Sequence, residues 1–342
     1  MDSYRYAASV FSKVVADGYI GMVRTVPQLY RYIYDRAERA TQVGGFRAWV
    51  SQFTAANLRT LIDDRKPDVV VCTHAFPCGV MAEYKRTYAP KLPILGIVTD
   101  FVVHPFWIYR NVDAYAVATP EMHGTLVARG VQRDRVIACG IPVDPRFVAP
   151  RRPKEALRRE LELPADRKIV LMMAGGLGMG PLDVMMRALG EIDQPLAAAI
   201  IVGRNAALER RVLDAAEQIE YPLRVRGFVD NVFDYMHASD VLLTKPGGLT
   251  SSEALVAGLP MIFVRPLPGQ EERNTRYLVS RRAAVRVKSA RHVAPAVAEL
   301  LRSGERLAHL RANMQALRHP DAADVIAQRV LALAETPSGV RG

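Results

Sequence analysis

The sequence predicts an α/β protein built from two doubly wound, Rossmann-like domains that face a cleft. Short apolar runs bounded by turn residues alternate with helical patterns, which is typical of parallel sheets covered by helices. A charged stretch bounded by Pro residues interrupts this alternation near the middle of the chain, and the alternation then resumes. A length of 342 residues gives each half enough material for its own hydrophobic core.

The first half contains four apolar runs that we interpret as buried parallel strands. They are Pro67–Thr73, Leu92–Thr99, Ala114–Ala118 and Arg135–Cys139, with helical patterns at Gly79–Thr87 and Glu121–Arg129. Residues 4–60 interleave aromatic and basic side chains. This pattern fits either helices that pack on the sheet or an amphipathic surface that meets a membrane.

The second half repeats the alternation after the charged stretch that follows Asp144. Its predicted strands are Lys168–Met173, Ala197–Val202, Arg224–Phe228, Asp240–Thr244 and Pro260–Val264, and its predicted helices are Leu182–Leu189, Ala206–Ile219 and Ala322–Leu333. The pattern predicts one domain over residues 1–147, a second over 148–320, and a final helix and tail over 321–342.

Basic residues outnumber acidic ones by 46 to 35, which gives the chain a net charge of +11. Such a charge attracts anionic partners in general. No cluster of basic and aromatic residues typical of a nucleic-acid module is present, so we expect no nucleic-acid partner. An anionic membrane surface fits the charge better, and the alternative is that the charge only reflects an Arg-rich composition.

The three cysteines form no paired framework, and the chain has neither a His or Cys cluster nor an Asp-x-Asp sequence. We therefore expect a reducing compartment, no structural disulfide and no bound metal. No apolar run approaches the ~20 residues of a membrane span, and the start shows no signal-peptide pattern. The expectation is a cytoplasmic protein, either soluble or peripheral to a membrane.

The segment 243–274 contains two Gly-marked turns, each placed between a predicted strand and a polar helix start. The first is Lys245-Pro246-Gly247-Gly248-Leu249-Thr250 followed by Ser252 and Glu253, and the second is Pro268-Gly269-Gln270-Glu271 followed by Asn274. The free N–H groups and the positive dipole of a helix start suit a diphosphate, and a carboxylate one turn further on suits a ribose diol. The segment therefore predicts a nucleotide-diphosphate site at the carboxyl ends of a parallel sheet.

These motifs, together with Gly258-Leu259-Pro260, resemble the nucleotide-sugar site of the glycolipid-forming glycosyltransferases, namely the monogalactosyldiacylglycerol synthases and the processive diacylglycerol glucosyltransferases. More distantly, they are similar to the transferase that makes lipid II. The resemblance implies the two-domain GT-B fold and transfer of a hexose, with inversion, from UDP-glucose or UDP-galactose to diacylglycerol or a similar lipid. It implies no cofactor and a place at the inner face of the plasma membrane.

The resemblance also implies roles for single residues of the second domain. Glu253 would hold the ribose hydroxyls, and Gln270 and Glu271 would contact the sugar. Two further strand-end loops would contact the donor through Gly175 and Gly176, which face the diphosphate, and through Gly203, Arg204 and Asn205, which face the nucleotide. The backbone at Phe228 and Val229 would recognise uracil. From the residues alone, the first loop lacks the dinucleotide spacing, and the Phe228 position is equally typical of strand-end packing.

In the predicted first domain, the best constellation is Thr99-Asp100-x-x-x-His104-x-x-Trp107, which follows a buried strand. Asp100 and His104 are candidates for acid–base catalysis, because a carboxylate can orient or tune an imidazole. Trp107 and His74, which follows another strand, are candidates for the acceptor side. The alternative for this constellation is a capping Asp and a surface His.

The sequence departs from the family pattern at its start. Family members begin with a strand and a Gly-rich loop that ends in Gly-His, and no such loop occurs in residues 1–60. We expect either a start codon assigned too far downstream or a degenerate, regulatory member. The alternatives to glycolipid synthesis are therefore a UDP-sugar-binding regulator without catalysis, and a lipid II-type transferase or epimerase on the same fold.

Overall fold

The computed structural model describes residues 61–149, 152–175, 178, 180–264, 266–267 and 269–335. Predictions that fall on residues 1–60, on Gly176 and on Pro268 therefore lie outside the described residues. The chain divides into two compact units. Among the described residues, the first unit comprises 61–141, 269–270 and 321–335, and the second comprises the described parts of 142–267 and 271–320.

The described part of the first unit contains a four-stranded parallel sheet in the order β1-β2-β3-β4. Its strands are β1 (Val70–Cys72), β2 (Ile94–Ile97), β3 (Ala114–Val117) and β4 (Val136–Ala138), and its internal helices are Ala75–Thr87 and Pro120–Ala128. Three short 3₁₀ turns also lie along this part of the chain, at Pro105–Trp107, Arg133–Arg135 and Pro145–Phe147, the last of them belonging to the second unit. Each strand that we predicted in this half is present, shortened by its flanking turn residues.

The last helix, Ala322–Glu335, packs against this first sheet. Ile326 and Leu333 share a core cluster with Leu95, Ile97 and other buried residues of β2 and β3. Leu331 on the same helix is 61% exposed. The helix therefore presents one apolar side to the sheet, as expected for an amphipathic surface helix.

The second unit contains a six-stranded parallel sheet in the order β10-β9-β8-β5-β6-β7. Its strands are β5 (Lys168–Met173), β6 (Leu196–Ile201), β7 (Leu223–Arg226), β8 (Val241–Thr244), β9 (Met261–Val264) and β10 (Val285–Val287). Its helices are Lys154–Glu160, Leu182–Leu189, Ala206–Ala216, Val232–Ala238, Gly248–Ala257, Gln270–Ser280, Val293–Arg302 and Gly304–Leu317, with a 3₁₀ turn at Ala290–His292. Strand and helix alternate from β5 to β10, which confirms the α/β class predicted from the sequence.

The charged helix Lys154–Glu160 is fixed to the amino edge of the second sheet. Asp240, just before β8, accepts hydrogen bonds from Lys154 Nζ at 2.7 Å, Arg158 Nη2 at 2.8 Å and the Ile169 N–H at 2.7 Å. Arg158 and Asp240 are both 8% exposed. A buried charge pair needs such additional bonds to compensate for its lost hydration. Basic residues of the charged stretch thus attach this helix to the sheet.

Candidate functional site

The candidate donor site lies where the order of the second sheet reverses. The chain runs outward through β5, β6 and β7, and then returns to place β8 on the other side of β5. Met173 and Thr244 pair at the carboxyl ends of these two neighbouring strands, and Thr244 Oγ1 donates to the Met173 carbonyl at 3.2 Å. The loops that follow diverge at this point, which is the usual place for a ligand crevice in a parallel sheet.

The turn after β8 leads into a helix whose first turn is uncapped. The Gly247 N–H donates to the Lys245 carbonyl at 2.9 Å, and the helix Gly248–Ala257 begins without a side-chain cap. The N–H groups of Gly248, Leu249 and Thr250 therefore have no acceptor within the helix. A Cβ built on Gly247 would meet nothing within 4 Å, so the space beside this helix start is open. Such a start binds anions through its N–H groups and dipole.

Glu253 lies one turn into that helix. Burial raises its pKa from 4.5 to about 7, and the neighbouring negative charge of Asp144 adds to the effect. No described residue donates a hydrogen bond to the Glu253 carboxylate. A half-buried carboxylate without a donor is unfavourable. The hydroxyl groups of a bound ligand would supply the missing donors.

Two side-chain bonds attach the helix Gln270–Ser280 to the turn after β8, and a third joins Glu271 to the loop before its own helix. Glu271 Oε1 lies 3.2 Å from Lys245 Nζ, and Glu271 Oε2 accepts from the Leu267 N–H at 2.7 Å. Asn274, which is 1% exposed, donates from Nδ2 to the Pro246 carbonyl at 3.1 Å. The structure therefore brings the two predicted motifs together. Glu271 and Asn274 are seen supporting the turn, where the sequence predicted contact with the ligand.

Asn205 joins the loops after β5 and β6. Its Oδ1 caps the helix Ala206–Ala216 by accepting from the Leu208 N–H at 3.0 Å, and its Nδ2 donates to the Gly178 carbonyl at 2.8 Å. Gly178 has a φ of +57°, and a Cβ there would lie 2.4 Å from the Asn205 Cβ. The close approach requires glycine at 178. Asn205 thus holds the two loops together. Gly175 forms a bend in the loop after β5 with a φ of +71°, and Gly203 forms one in the loop after β6 with a φ of +80°.

Arg204 and Phe228 form an exposed pair at the ends of β6 and β7. The Arg204 guanidinium lies 4.0 Å from the centre of the Phe228 ring, and the Phe228 side chain is 56% exposed. Val229 is half-buried. Leu249 on the uncapped helix start is also exposed, at 52%, whereas Ser252 is buried at 5%. Of these predicted donor-binding residues, Arg204, Phe228 and Leu249 are therefore exposed, and Ser252 is buried.

The candidate catalytic residues lie in the first unit after β1 and β2. His104 is 3% exposed, and its Nδ1 accepts from the Phe106 N–H at 3.2 Å. His74 Nδ1 likewise accepts from the Phe76 N–H, at 3.3 Å. A neutral imidazole whose Nδ1 accepts carries its proton on Nε2 and is a donor there. Both rings therefore act as caps of helical turns in this structure.

Asp100 and Trp107 belong to the same loop after β2. Asp100 Oδ2 accepts a hydrogen bond from Gln270 Nε2 at 2.9 Å. Trp107 is 3% exposed, and the Tyr115 hydroxyl donates to its carbonyl at 2.8 Å. Stacking of Trp107 on a sugar or lipid would require this loop to rearrange. Catalytic roles for Asp100 and His104 remain predictions.

Sequence reasoning did not find two parts of the site. Asp144, which influences Glu253, lies just before the charged stretch, and its side chain caps the 3₁₀ turn Pro145–Phe147. The Asp-Pro pair was the available signal, because Asp commonly caps a turn that begins with Pro. The Lys245–Glu271 ion pair joins residues far apart in the sequence and leaves no local signal. Among the described residues, no group of three or more His, Cys, Asp or Glu side chains is placed to hold a metal ion.

Comparison with known proteins identifies the class and then the family. The family described as monogalactosyldiacylglycerol (MGDG) synthase matches residues 1–143, and glycosyl transferases group 1 matches 153–316. Two similar solved structures are MurG from Acinetobacter baumannii, with a TM-score of 0.58 and 17% identity over 83% of this chain and 79% of that one, and Anabaena HepE in complex with UDP-glucose. HepE has a TM-score of 0.56 and 13% identity, and the match covers 82% of each chain. The fold is thus that of the GT-B glycosyltransferases.

A relative with higher sequence identity identifies the family. The processive diacylglycerol beta-glucosyltransferase of Bacillus mycoides is 30% identical over 306 residues, which cover 89% of this chain and 78% of the relative. The chain belongs to the family of the MGDG synthases and processive diacylglycerol glucosyltransferases, and it is a glycolipid-forming glycosyltransferase. None of the helices in the described residues is both long and apolar enough to span a membrane.

Proposed function

We propose that this glycosyltransferase moves a hexose from UDP-glucose or UDP-galactose to the hydroxyl group of diacylglycerol or a similar lipid, with inversion at the anomeric carbon. The observation that carries the proposal is the combination of an uncapped helix start with the half-buried Glu253 carboxylate one turn away. The first suits a diphosphate, and the second suits a vicinal diol. Both groups occur together in a nucleoside diphosphate sugar.

The donor would bind across the carboxyl edge of the second sheet. The N–H groups of Gly248–Thr250 would contact the diphosphate, and Glu253 would accept hydrogen bonds from the ribose hydroxyls. Arg204 follows β6 and Phe228 follows β7, two and three strands away from β8, where a base could reach them. HepE, which has a similar fold, was solved in complex with UDP-glucose. This likeness supports uridine as the base.

The stereochemistry follows from the linkage that the relatives form. The glucosyl donor UDP-glucose is an α-glycoside, and the Bacillus relatives are named as beta-glucosyltransferases of diacylglycerol. A single displacement converts an α-linked donor into a β-linked product. In that step, the acceptor oxygen forms a bond to the anomeric carbon as the bond to the β-phosphate oxygen breaks. The acceptor proton passes to a base, and the diphosphate leaves with the electron pair.

Of the two predicted bases, Asp100 suits this proton transfer better than His104. Asp100 is half-buried, whereas His104 is buried, and a carboxylate has about four lone-pair sites, of which the bond from Gln270 uses one. His104 would need to reverse its tautomer and to become accessible. We therefore assign the base to Asp100 within the proposed reaction.

The proposed setting is the inner, anionic face of the plasma membrane, and the proposed transfer needs no metal. The net charge of +11 supports attraction to such a surface, at about 1 kcal/mol for each well-placed basic residue. Backbone N–H groups at the helix start support stabilisation of the diphosphate without a metal bridge. Transfer in the presence of a chelator should therefore proceed at an unchanged rate.

The test is transfer of labelled hexose from UDP-glucose and from UDP-galactose to diacylglycerol in anionic vesicles. We expect a β-linked glycolipid, and Glu253→Ala should raise the donor KM by roughly 10–100-fold, as expected for lost hydrogen bonds to a charged group. Glu305→Ala, at an exposed position of the Gly304–Leu317 helix, is the matched control and should behave as wild type. An unchanged KM in Glu253→Ala would refute the ribose assignment. UDP-sugar binding without any product would favour a regulator.

A further inference from the structure

We propose that Lys245 is the cation that stabilises the leaving diphosphate, and that Glu271 is the residue that positions it. This inference rests on the proposed function and deepens it. The sequence had suggested that Glu271 contacts the sugar. The bonds of Glu271 in the structure point instead to the support of Lys245.

The Glu271 carboxylate is held at both oxygens. Oε2 accepts from the Leu267 N–H at 2.7 Å, which fixes the carboxylate to the loop before its own helix. Oε1 then lies 3.2 Å from Lys245 Nζ. The side chains of Lys245 and Glu271 are only 18% and 15% exposed, respectively. A carboxylate that is itself restrained holds an ammonium group in place better than a mobile surface partner does.

The backbone of Lys245 is held as firmly as its ammonium group. The Gly247 N–H bonds to the Lys245 carbonyl at 2.9 Å, which makes a tight turn, and Asn274 donates to the next carbonyl, that of Pro246, at 3.1 Å. Asn274 is fully enclosed at 1% exposure. Lys245 is therefore anchored three residues before the uncapped helix start at Gly248.

The ammonium group retains bonding capacity for a ligand. A Lys ammonium has three N–H donors, and among the described residues Glu271 is the only polar partner of Lys245 Nζ. The remaining donors are available beside a helix start that also favours negative charge. Lys245 thus adds a full positive charge to the partial charge of the helix.

The reaction increases the negative charge at this place. When the bond between the anomeric carbon and the β-phosphate oxygen breaks, the oxygen keeps the electron pair and the diphosphate gains one unit of negative charge. The acceptor proton goes to the base, and Lys245 transfers no proton. A fixed cation binds the more highly charged product better than the donor, and it stabilises the transition state by part of that difference.

The first arm of the test compares UDP and UDP-glucose on Lys245→Gln by titration calorimetry and by rate measurement. We expect kcat to fall roughly 100–1,000-fold, the range for loss of one donor to a developing oxyanion. UDP affinity should fall more than UDP-glucose affinity. Lys245→Arg should restore much of the rate. Lys288→Gln, at an exposed position of the same unit, is the matched control and should leave all three values unchanged. Equal loss of affinity for UDP and UDP-glucose, with kcat unchanged, would show that Lys245 only binds the diphosphate and does not stabilise the transition state.

The second arm is a double-mutant cycle with Glu271→Gln. If Glu271 acts through Lys245, its substitution lowers kcat in the wild-type background and has no further effect in Lys245→Gln. It also changes the affinity for UDP, which carries no hexose. Additive effects on kcat, with UDP affinity unchanged and UDP-glucose affinity weakened, would show that Glu271 contacts the sugar and would overturn the positioning role. Thermal melts establish that each variant is folded.

The two proposals fail in different ways. If the wild-type protein does not bind UDP, the donor assignment fails and this inference fails with it. If UDP binds and Glu253→Ala weakens it, but Lys245→Gln leaves kcat and UDP affinity unchanged, the donor assignment survives and only the role of Lys245 is refuted.

Discussion

At the candidate donor site, the fold surrounds a single carboxylate with an environment that disfavours its ionised form. The residue is Glu253, because burial raises its pKa to about 7 and the negative charge of Asp144 acts in the same direction. An ordinary surface Glu on a helix would have a pKa near its reference value of about 4.3. Under the proposed function, the hydroxyl groups of the bound donor would supply the partners that this carboxylate lacks.

The raised pKa makes a prediction about stability. Because the folded-state pKa of Glu253 exceeds its unfolded value, the folded protein binds the extra proton, and this contribution is lost as the pH rises from about 4.5 through about 7. Above pH 7 the ionised, half-buried carboxylate should lower the free energy of unfolding by up to about 3 kcal/mol, the equivalent of the shift in its pKa. Glu253→Gln should therefore raise Tm relative to wild type at pH 8, and much less at pH 5.

Melting curves of the two proteins at the two pH values, without ligand, provide the measurement. Glu305→Gln, at an exposed position, is the control and should give the same Tm difference at both pH values. A Tm difference for Glu253→Gln that does not depend on pH would contradict the half-buried, unpaired state described for this carboxylate.

At the scale of elements, the site is assembled by bonds between loops that the strands bring side by side. Asn205 caps one helix and also ties the loop after β5 to the loop after β6. Asn274 ties the helix Gln270–Ser280 to the turn after β8. Two residues that the motif assigns to ligand contact thus bond to the loops of the candidate site. We expect their effect on donor binding to pass through the geometry of these loops.

Asn205→Ala should separate loop shape from general stability. Loss of the cap should lower the free energy of unfolding by about 1–2 kcal/mol, and loss of the bond to the Gly178 carbonyl should raise the donor KM. Ser303→Ala is the matched control, because Ser303 caps the helix Gly304–Leu317 through the Arg306 N–H at 3.1 Å, away from the loops of the candidate site.

Urea unfolding and donor kinetics of both variants provide the comparison. Ser303→Ala should lose similar stability while keeping its KM. A normal KM in Asn205→Ala would show that the bond between the two loops does not affect donor binding.

The sequence predicted most elements of the fold because buried parallel strands leave a strong apolar signal. Lys168–Met173 was predicted to the residue, and the helix Leu182–Leu189 likewise. The strand β10 was not predicted, since it has only 3 residues and carries Arg286 at its centre. The first-unit helix begins at Ala75, earlier than the predicted Gly79, because the His74 ring caps it and Pro77 is tolerated in a first turn.

The candidate site was predictable in its motifs but not in its bonds. Gly-marked turns and a following carboxylate have local signatures, so Gly247 and Glu253 could be named from the sequence. Side-chain partners depend on which strands become neighbours, and the reversal of order between β5 and β8 has no local signature. For this reason Glu271 was expected to face a sugar, and its pairing with Lys245 was not foreseen.

At the scale of the whole molecule, the first unit is discontinuous in sequence. The helix Ala322–Glu335 contributes to the core of a sheet whose described strands lie between residues 70 and 138. Buried apolar residues on this helix should therefore contribute to the stability of the first unit as ordinary core residues do. Ile326 at 5% exposure and Leu333 at 4% are the clearest examples.

Ile326→Ala and Leu333→Ala should each lower the free energy of unfolding by about 2–5 kcal/mol, as is usual for truncation of a buried aliphatic side chain. Leu331→Ala on the same helix is the control, because that side chain is 61% exposed and should change stability by less than about 0.5 kcal/mol. Chemical denaturation gives the three values. Equal small losses at all three positions would mean that the helix does not belong to the core of the first unit.

The helix Ala322–Glu335 is synthesised long after the strands that it packs against, which affects folding on the ribosome. The chain leaves the ribosome from its amino end, so the strands β1–β4 emerge long before Ala322–Glu335. At about 5–20 residues per second, the intervening chain takes on the order of ten seconds or more to appear. During that interval the second unit can fold on its own, while the first sheet still exposes the apolar surface that the helix will cover. The part of the protein that is made first is thus completed last, and it is the part that a chaperone would protect.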